Sequence, residues 1–251
     1  MTEADTDSPL EEAHLETLSP DTLVMGLLWY IVFLFSTTLH EAAHALAAKL
    51  GGDLTAFHGG QVTLDPMPHI RREPFGMVFV PIMTFLLSGG MMGWASAPYD
   101  PMWADRHPRR AALMSLAGPM ANLSLVVLAG IGIRLGMASG VFEPPDSLSF
   151  MRMIEAPEGG MMGSVAMLLS ATFALNLMLG IFNLLPVPPL DGSSAITLLM
   201  NRPMQERWTQ LIRHPALSMI GILVAWQVFG EIFRPFKDLA IVLLYPEYSY
   251  Q

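Results

Sequence analysis

The sequence predicts an all-α polytopic membrane protein with about four transmembrane helices, a re-entrant or broken apolar segment and a small β-containing loop. Three observations predict it. Charged residues make up only 14% of the 251 residues, against about 25% in soluble domains. Hydrophobic residues make up 52%, and the mean hydropathy is +0.45. The missing charge is concentrated in uncharged runs, several of them close to the ~20 residues that a bilayer crossing needs. The net charge of −9 argues against a nucleic-acid partner. The absence of cysteine excludes disulfides, a thiolate nucleophile and a cysteine zinc site. The 20 methionines suit irregular gaps between helices.

Residues 1–21 are acidic and lack Lys and Arg, so they read as a flexible tail and not as a signal peptide. Residues 22–245 read as a single integral-membrane domain, and 246–251 as a short C-terminal tail. The first span is 22–50, whose charges before Lys49 all belong to one motif, HEAAH. "GGDLTAFHGGQVTLDPMPHIRREP" follows; its alternating "QVTLD" and its Gly and Pro content predict short β structure with turns. Within it, "TAFHGGQVTL" is expected to lie close to the active site, where a strand could pair with an unwound substrate. The apolar piece 74–94 is broken by Pro81 and by Gly89, Gly90 and Gly93. Spans are then expected at 111–133, at 159–190 and, shorter, at 215–230, the last extending past Glu231 toward Arg234.

HEAAH occupies 40–44. His40 and His44 are one helical turn apart on one face, so both imidazoles can reach one metal. Glu41 lies beside them. This is the H-E-x-x-H pattern of zinc peptidases. There, zinc lowers the pKa of its water to about 7 and the glutamate takes the proton. The bland alternative is histidines packing as polar glue between helices. Depth weighs against it: His40 lies nine residues before Lys49, roughly 13 Å by helical rise, and ionisable side chains at that depth usually mark a function.

A catalytic zinc needs a third protein ligand and an open position. His58, His69, His107 and His214 all fall in polar stretches. Asp191, in "FNLLPVPPLDGSSA", directly follows the longest apolar run, and Pro186, Pro188 and Pro189 keep that segment from being helical. The alternative for Asp191 is an N-cap of a helix starting near Ser193.

HEAAH together with NLLPVPPLDG resembles the site-2 proteases, the intramembrane zinc metalloproteases. That family carries H-E-x-x-H on one membrane helix and N-x-x-P followed by L-D-G on another. Here these are His40, Glu41 and His44, then Asn183, Pro186, Leu190, Asp191 and Gly192. "AGPMANL" (117–123) resembles the family's G-P-x-x-N signature. "GWASAPYDP" and "QVTLDPMPHI" resemble its compact prokaryotic branch, which lacks PDZ and CBS domains. Asp65 and Arg71 depart from that branch, which usually has Asn and an acidic residue there.

The resemblance implies one Zn2+ per chain, held by His40, His44 and Asp191, with Glu41 as general base. It implies that Asn183 and Asn122 hydrogen-bond the substrate backbone. It implies a transmembrane-protein substrate cut within or near the bilayer of a prokaryotic cytoplasmic membrane. By residue type alone, the two asparagines could equally bond a neighbouring helix, and Gly118 and Pro119 read as close packing and a kink. Two competing functions are a zinc transporter or sensor, and an inactive relative that binds membrane helices. A transporter would spread ligands along a path, and the complete ligand set with its glutamate speaks against an inactive relative.

Both ligand segments end their spans, so the two ends must lie on one side of the membrane. An odd number of crossings must separate them. Residues 111–133 are long and uncharged enough to cross; 74–94 is expected to dip in and return. That scheme collects Lys49, Arg71, Arg72, Arg106, Arg109, Arg110, Arg202, Arg207 and Arg213 on one side. Glu143, Asp146, Glu155 and Glu158 fall on the other, with Arg152 an exception and Arg134 at the edge. The basic side is expected to be cytoplasmic, with the active site nearer it and the N-terminus outside.

Overall fold

The computed structural model of the chain describes residues 20–149, 152–157 and 159–246. The expected acidic tail, apart from its last two residues, lies outside them, as do Glu158 and nearly all of the expected C-terminal tail. The described residues form ten α-helices and no sheet; their only β pairings are the isolated bridges Glu143–Glu155 and Ser149–Arg152.

Among the described residues, four helices are long and apolar enough to cross a membrane. They are α1 (Pro20–Gly51), α6 (Pro108–Ala138), α7 (Gly160–Asn183) and α10 (Pro215–Leu244). The shorter helices are α2 (Thr55–His58), α3 (Met67–Arg72), α4 (Val80–Ser88), α5 (Pro101–Arg106), α8 (Asp191–Ala195) and α9 (Arg202–Ile212). Proline stands in the first turn of α6 and α10, where its missing N–H costs nothing. The chain is an integral membrane protein.

The fourth span is longer than the sequence suggests. It continues through Glu231, Arg234, Pro235, Lys237 and Asp238 to Leu244. Arg234 pairs with Glu231 at i and i+3 (3.1 Å), and these charged side chains are exposed, so the helix runs through them without burying charge.

The apolar piece 74–94 leaves and returns. A π-helical turn (Phe75–Phe79) runs into α4, which stops at Gly89 in the left-handed conformation, φ 67°. Extended chain then runs back, and the Trp94 amide donates to the Gly76 carbonyl at 3.1 Å. Phe75–Ser88 is also too short to span, at ~21 Å. The piece packs along the N-terminal half of α1, where the Tyr30 hydroxyl donates to the Met77 carbonyl (3.1 Å) and Phe85 lies against Gly26; beyond it the chain comes back to the C-terminal end of α1. The Asp100 amide donates to Asp53 Oδ2 (2.8 Å), and Trp103 Nε1 and Arg110 Nη1 each donate to the Gly51 carbonyl (3.1 Å).

The expected β loop is not formed. Asp53 Oδ1 accepts from both the amide and the hydroxyl of Thr55 (2.9 and 2.6 Å), which starts α2 instead of a strand. Gln61 N then folds back to the Ala56 carbonyl (2.9 Å). Asp65 Oδ1 accepts from Met67 N (2.9 Å) as α3 begins. The alternation in "QVTLD" is too brief to outweigh these side-chain turns, and no partner strand is present among the described residues.

Candidate metal centre

α1 carries HEAAH well inside its length: His40 lies eleven residues before Gly51, about 16 Å by helical rise. His40, Glu41 and His44 are all buried, at 7%, 5% and 7% exposure. α6 and α7 pack around this part of α1 and supply the groups behind the imidazoles.

Each histidine uses its Nδ1 on α6. His44 Nδ1 donates to the Met114 carbonyl at 2.7 Å. A carbonyl can only accept, so Nδ1 carries the proton. His40 Nδ1 lies 2.5 Å from Asn122 Oδ1. The amide end of Asn122 donates to Asn176 Oδ1 on α7 (2.7 Å), and Asn176 Nδ2 donates back to Ser36 Oγ on α1 (2.8 Å). Asn122 and Asn176 are fully buried. This chain ties three spans together and fixes the tautomer of His40, as outer-shell partners of metal ligands do.

With Nδ1 protonated on both rings, both Nε2 lone pairs face one point. The two Nε2 atoms are 3.0 Å apart. Asp191 Oδ2 lies 3.0 Å from one and 3.3 Å from the other. It is the one group of this kind among the described residues. Three electron-pair donors this close repel one another unless a cation sits among them. Zinc held at its usual bond lengths keeps neighbouring ligands about 3.3 Å apart, so the triangle fits.

Gly118 on α6 completes the fit. A methyl group at this position would overlap both His44 Nε2 and His40 Nε2, so the glycine leaves open the space at which the ligands converge. The sequence placed Gly118 in the G-P-x-x-N signature and read it for close packing, with no role at the ligands. Asn176 was missed altogether; its one signal is a carboxamide in the otherwise apolar "ATFALNLMLG".

Asp191 is the first residue of α8, and Leu190 is the cap residue, with no side-chain capping bond. The capping alternative therefore fails, since the carboxylate is spent on the histidines. The loop before it is shaped by Pro186, Pro188 and Pro189 and by packing of Leu185 and Leu190 on Ala225 of α10. Gly221 of α10 sits against the Pro188 carbonyl with no room for a Cβ. Downstream, Trp208 Nε1 of α9 donates to the Ser193 carbonyl (2.7 Å).

Of the other expected residues, Asn122 stands behind His40, buried and engaged at both ends of its carboxamide. Asn183 ends α7, and its Nδ2 donates to the Leu179 carbonyl at 3.1 Å. His58, His69, His107 and His214 do not join the cluster. His69 is buried in α3, its Nε2 3.2 Å from the Thr63 carbonyl.

Comparison with known proteins agrees with this centre. The family described as Peptidase family M50 matches residues 28–225. "Putative zinc metalloprotease YwhC" of Bacillus subtilis is 33% identical over 232 residues, covering 84% of this chain and 95% of that protein. "Putative zinc metalloprotease Rip2" of Mycobacterium tuberculosis (H37Rv) is 33% identical over 192 residues, covering 76% of this chain and 64% of that protein. The Rip2 protein of Mycolicibacterium smegmatis is 28% identical over 218 residues, 85% of this chain and 74% of its own length. No solved structure matches the chain.

Proposed function

The chain belongs to peptidase family M50 and is a zinc metalloprotease; from that premise we propose that it hydrolyses a peptide bond within or near a transmembrane segment of a membrane-protein substrate. The observation that carries this reading is the depth of the ligand triangle. His40, His44 and Asp191 converge inside a bundle of apolar spans. A substrate that reaches them must itself enter the bilayer and unwind there to expose a carbonyl.

When bound, the zinc polarises the scissile carbonyl and acidifies the attacking water. The remaining work falls to the chain. Glu41, next to a ligand and buried, accepts the proton of the attacking water and delivers it to the leaving amine. Asn122 holds His40 through Nδ1 and is a positioning residue. Asn183, with Nδ2 engaged, keeps Oδ1 to accept from a substrate amide. α1 and α6 exclude bulk water behind the rings.

Glu41→Gln separates the roles. The variant should keep a full complement of zinc and lose cleavage of a membrane-embedded reporter substrate by at least a hundredfold. Zinc retained with cleavage within tenfold of wild type would assign the base elsewhere. For orientation, we place the end bearing Lys49, Arg71, Arg72, Arg106, Arg109 and Arg110 in the cytoplasm of a prokaryotic cell, with the N-terminus outside, by the positive-inside tendency. Reporter fusions at Asp5 and Asp100 should then report opposite sides, and the same side for both would overturn this placement.

A further inference from the structure

Apart from the metal centre, the structure holds a cavity of about 380 Å3 between the start of α6 and the start of α9. His107, Arg109 and Arg110 line one wall; Asn201, Arg202 and Gln205 line the other. No carboxylate lines it. Arg106 and Arg213 are held by Asp100 and Asp105 outside it. Arg109 and Arg110 have no carboxylate partner among the described residues, although Arg110 Nη1 donates to the Gly51 carbonyl. Arg202 has one competitor, Glu206, at 3.3 Å on the exposed side of α9. Three arginines and no carboxylate line this cavity, and Arg109 has no carboxylate partner among the described residues, a lining that favours an anion.

Its surroundings decide which anion. Arg109 and Arg110 open a membrane span, α6, which puts them at the level of lipid headgroups. α9 is short and amphipathic: Arg202 and Arg207 alternate with exposed Met204 and Leu211, while Gln205 is buried. Such a helix lies in the plane of the interface. Leu199, next to the cavity-lining Met200, is 88% exposed, an apolar surface that an acyl chain would cover. Basic pockets between membrane helices take the headgroups of anionic lipids.

We propose that this cavity binds the phosphodiester headgroup of an anionic membrane lipid. Its two walls are the outer parts of the elements that hold the ligands. α6 backs both histidines through Met114 and Asn122. Gln205 Nε2 donates to the Thr197 carbonyl (2.7 Å), two turns beyond Asp191. A bound headgroup therefore bridges the two segments that bring Asp191 to the histidines.

The test uses the full chain in neutral detergent, with dihexanoylphosphatidylglycerol, dihexanoylphosphatidylcholine and inorganic phosphate as probes. Binding is read by calorimetry and by native mass spectrometry. The phosphatidylglycerol should bind at least about tenfold more tightly than either alternative. Arg109→Gln with Arg202→Gln should remove roughly tenfold or more of that affinity, while Arg213→Gln, outside the cavity, should not. Zinc content and unfolding temperature unchanged in the double variant show that it is folded; if it fails to fold, Arg109→Gln alone should still weaken binding. Equal affinity for inorganic phosphate would overturn the lipid assignment. Equal affinity for the two lipids, or undiminished binding by the folded variants, would overturn the site.

Discussion

The two halves of the proposed metal centre are built differently. The histidine half stands on one rigid helix, and each ring is clamped from behind by a buried hydrogen bond that it donates to α6, His40 to Asn122 Oδ1 and His44 to the Met114 carbonyl. The aspartate half stands on a proline loop and a five-residue helix, positioned by packing on α10 and by the Trp208 bond to Ser193. The first half is preorganised by side-chain chemistry. The second is held by backbone shape and by a neighbour that is itself loosely enclosed: 17% of the apolar window of α10 is buried, against 56% for α7. Disturbing the histidine half should therefore act steeply and locally on zinc. Disturbing what supports the aspartate should act softly.

The largest effects should come from the three proposed ligands and from Gly118. His40→Ala, His44→Ala or Asp191→Ala leaves two ligands where a catalytic site uses three, and zinc content measured by elemental analysis should fall from about one per chain to near zero. Gly118→Ala removes no ligand, yet its methyl would occupy the point where the two Nε2 atoms meet. Zinc should be lost to a comparable degree while the helical circular dichroism is kept. Full zinc in Gly118→Ala would show that α6 can retreat, and the contrast between a rigid and a soft half would weaken.

Much of this was legible in the sequence. His40 and His44 follow from helical spacing, and Asp191 from the proline run that follows an apolar span. The four spans and the returning piece 74–94 follow from charge-free lengths and from the positions of Pro and Gly. The β loop was misread because Asp53 and Asp65 start helices through local side-chain bonds, which short alternation does not reveal. The extent of α10 was underestimated because exposed charges, among them the Glu231–Arg234 pair at i and i+3, are carried within a helix and do not end it. Gly118 and Asn176 were not legible as parts of the site. Their roles depend on which faces of three helices meet, and no single helix carries that information.

An intermediate effect is expected at Asn122. Asn122→Ala frees the His40 ring and leaves His40 Nδ1 and Asn176 Oδ1 without their partner in the core. Zinc affinity, measured by competition with a chelator, should fall roughly 10–100-fold. Asn122→Asp keeps an acceptor for His40 Nδ1 and should recover much of that loss. A structural role alone would predict no such recovery, because the aspartate also breaks the bond to Asn176 and buries a charge.

The smallest effect should come from the soft half. Gly221→Ala places a methyl group on the Pro188 carbonyl, so α10 or the loop must move. Two responses are open. If the loop yields, Asp191 is displaced from the histidines and zinc affinity falls as far as in Asn122→Ala. If α10 yields, it slides outward into lipid, where its exposed Met219, Leu223 and Trp226 already lie, and Asp191 stays in place. The shallow burial of α10 favours the second response, because few packed contacts oppose it. The expected outcome is a drop in zinc affinity of only a few-fold, with a lowered unfolding temperature in detergent. A loss equal to that of Asn122→Ala would mean that the proline loop, not α10, is the compliant part, and the aspartate half would then be as finely set as the histidine half.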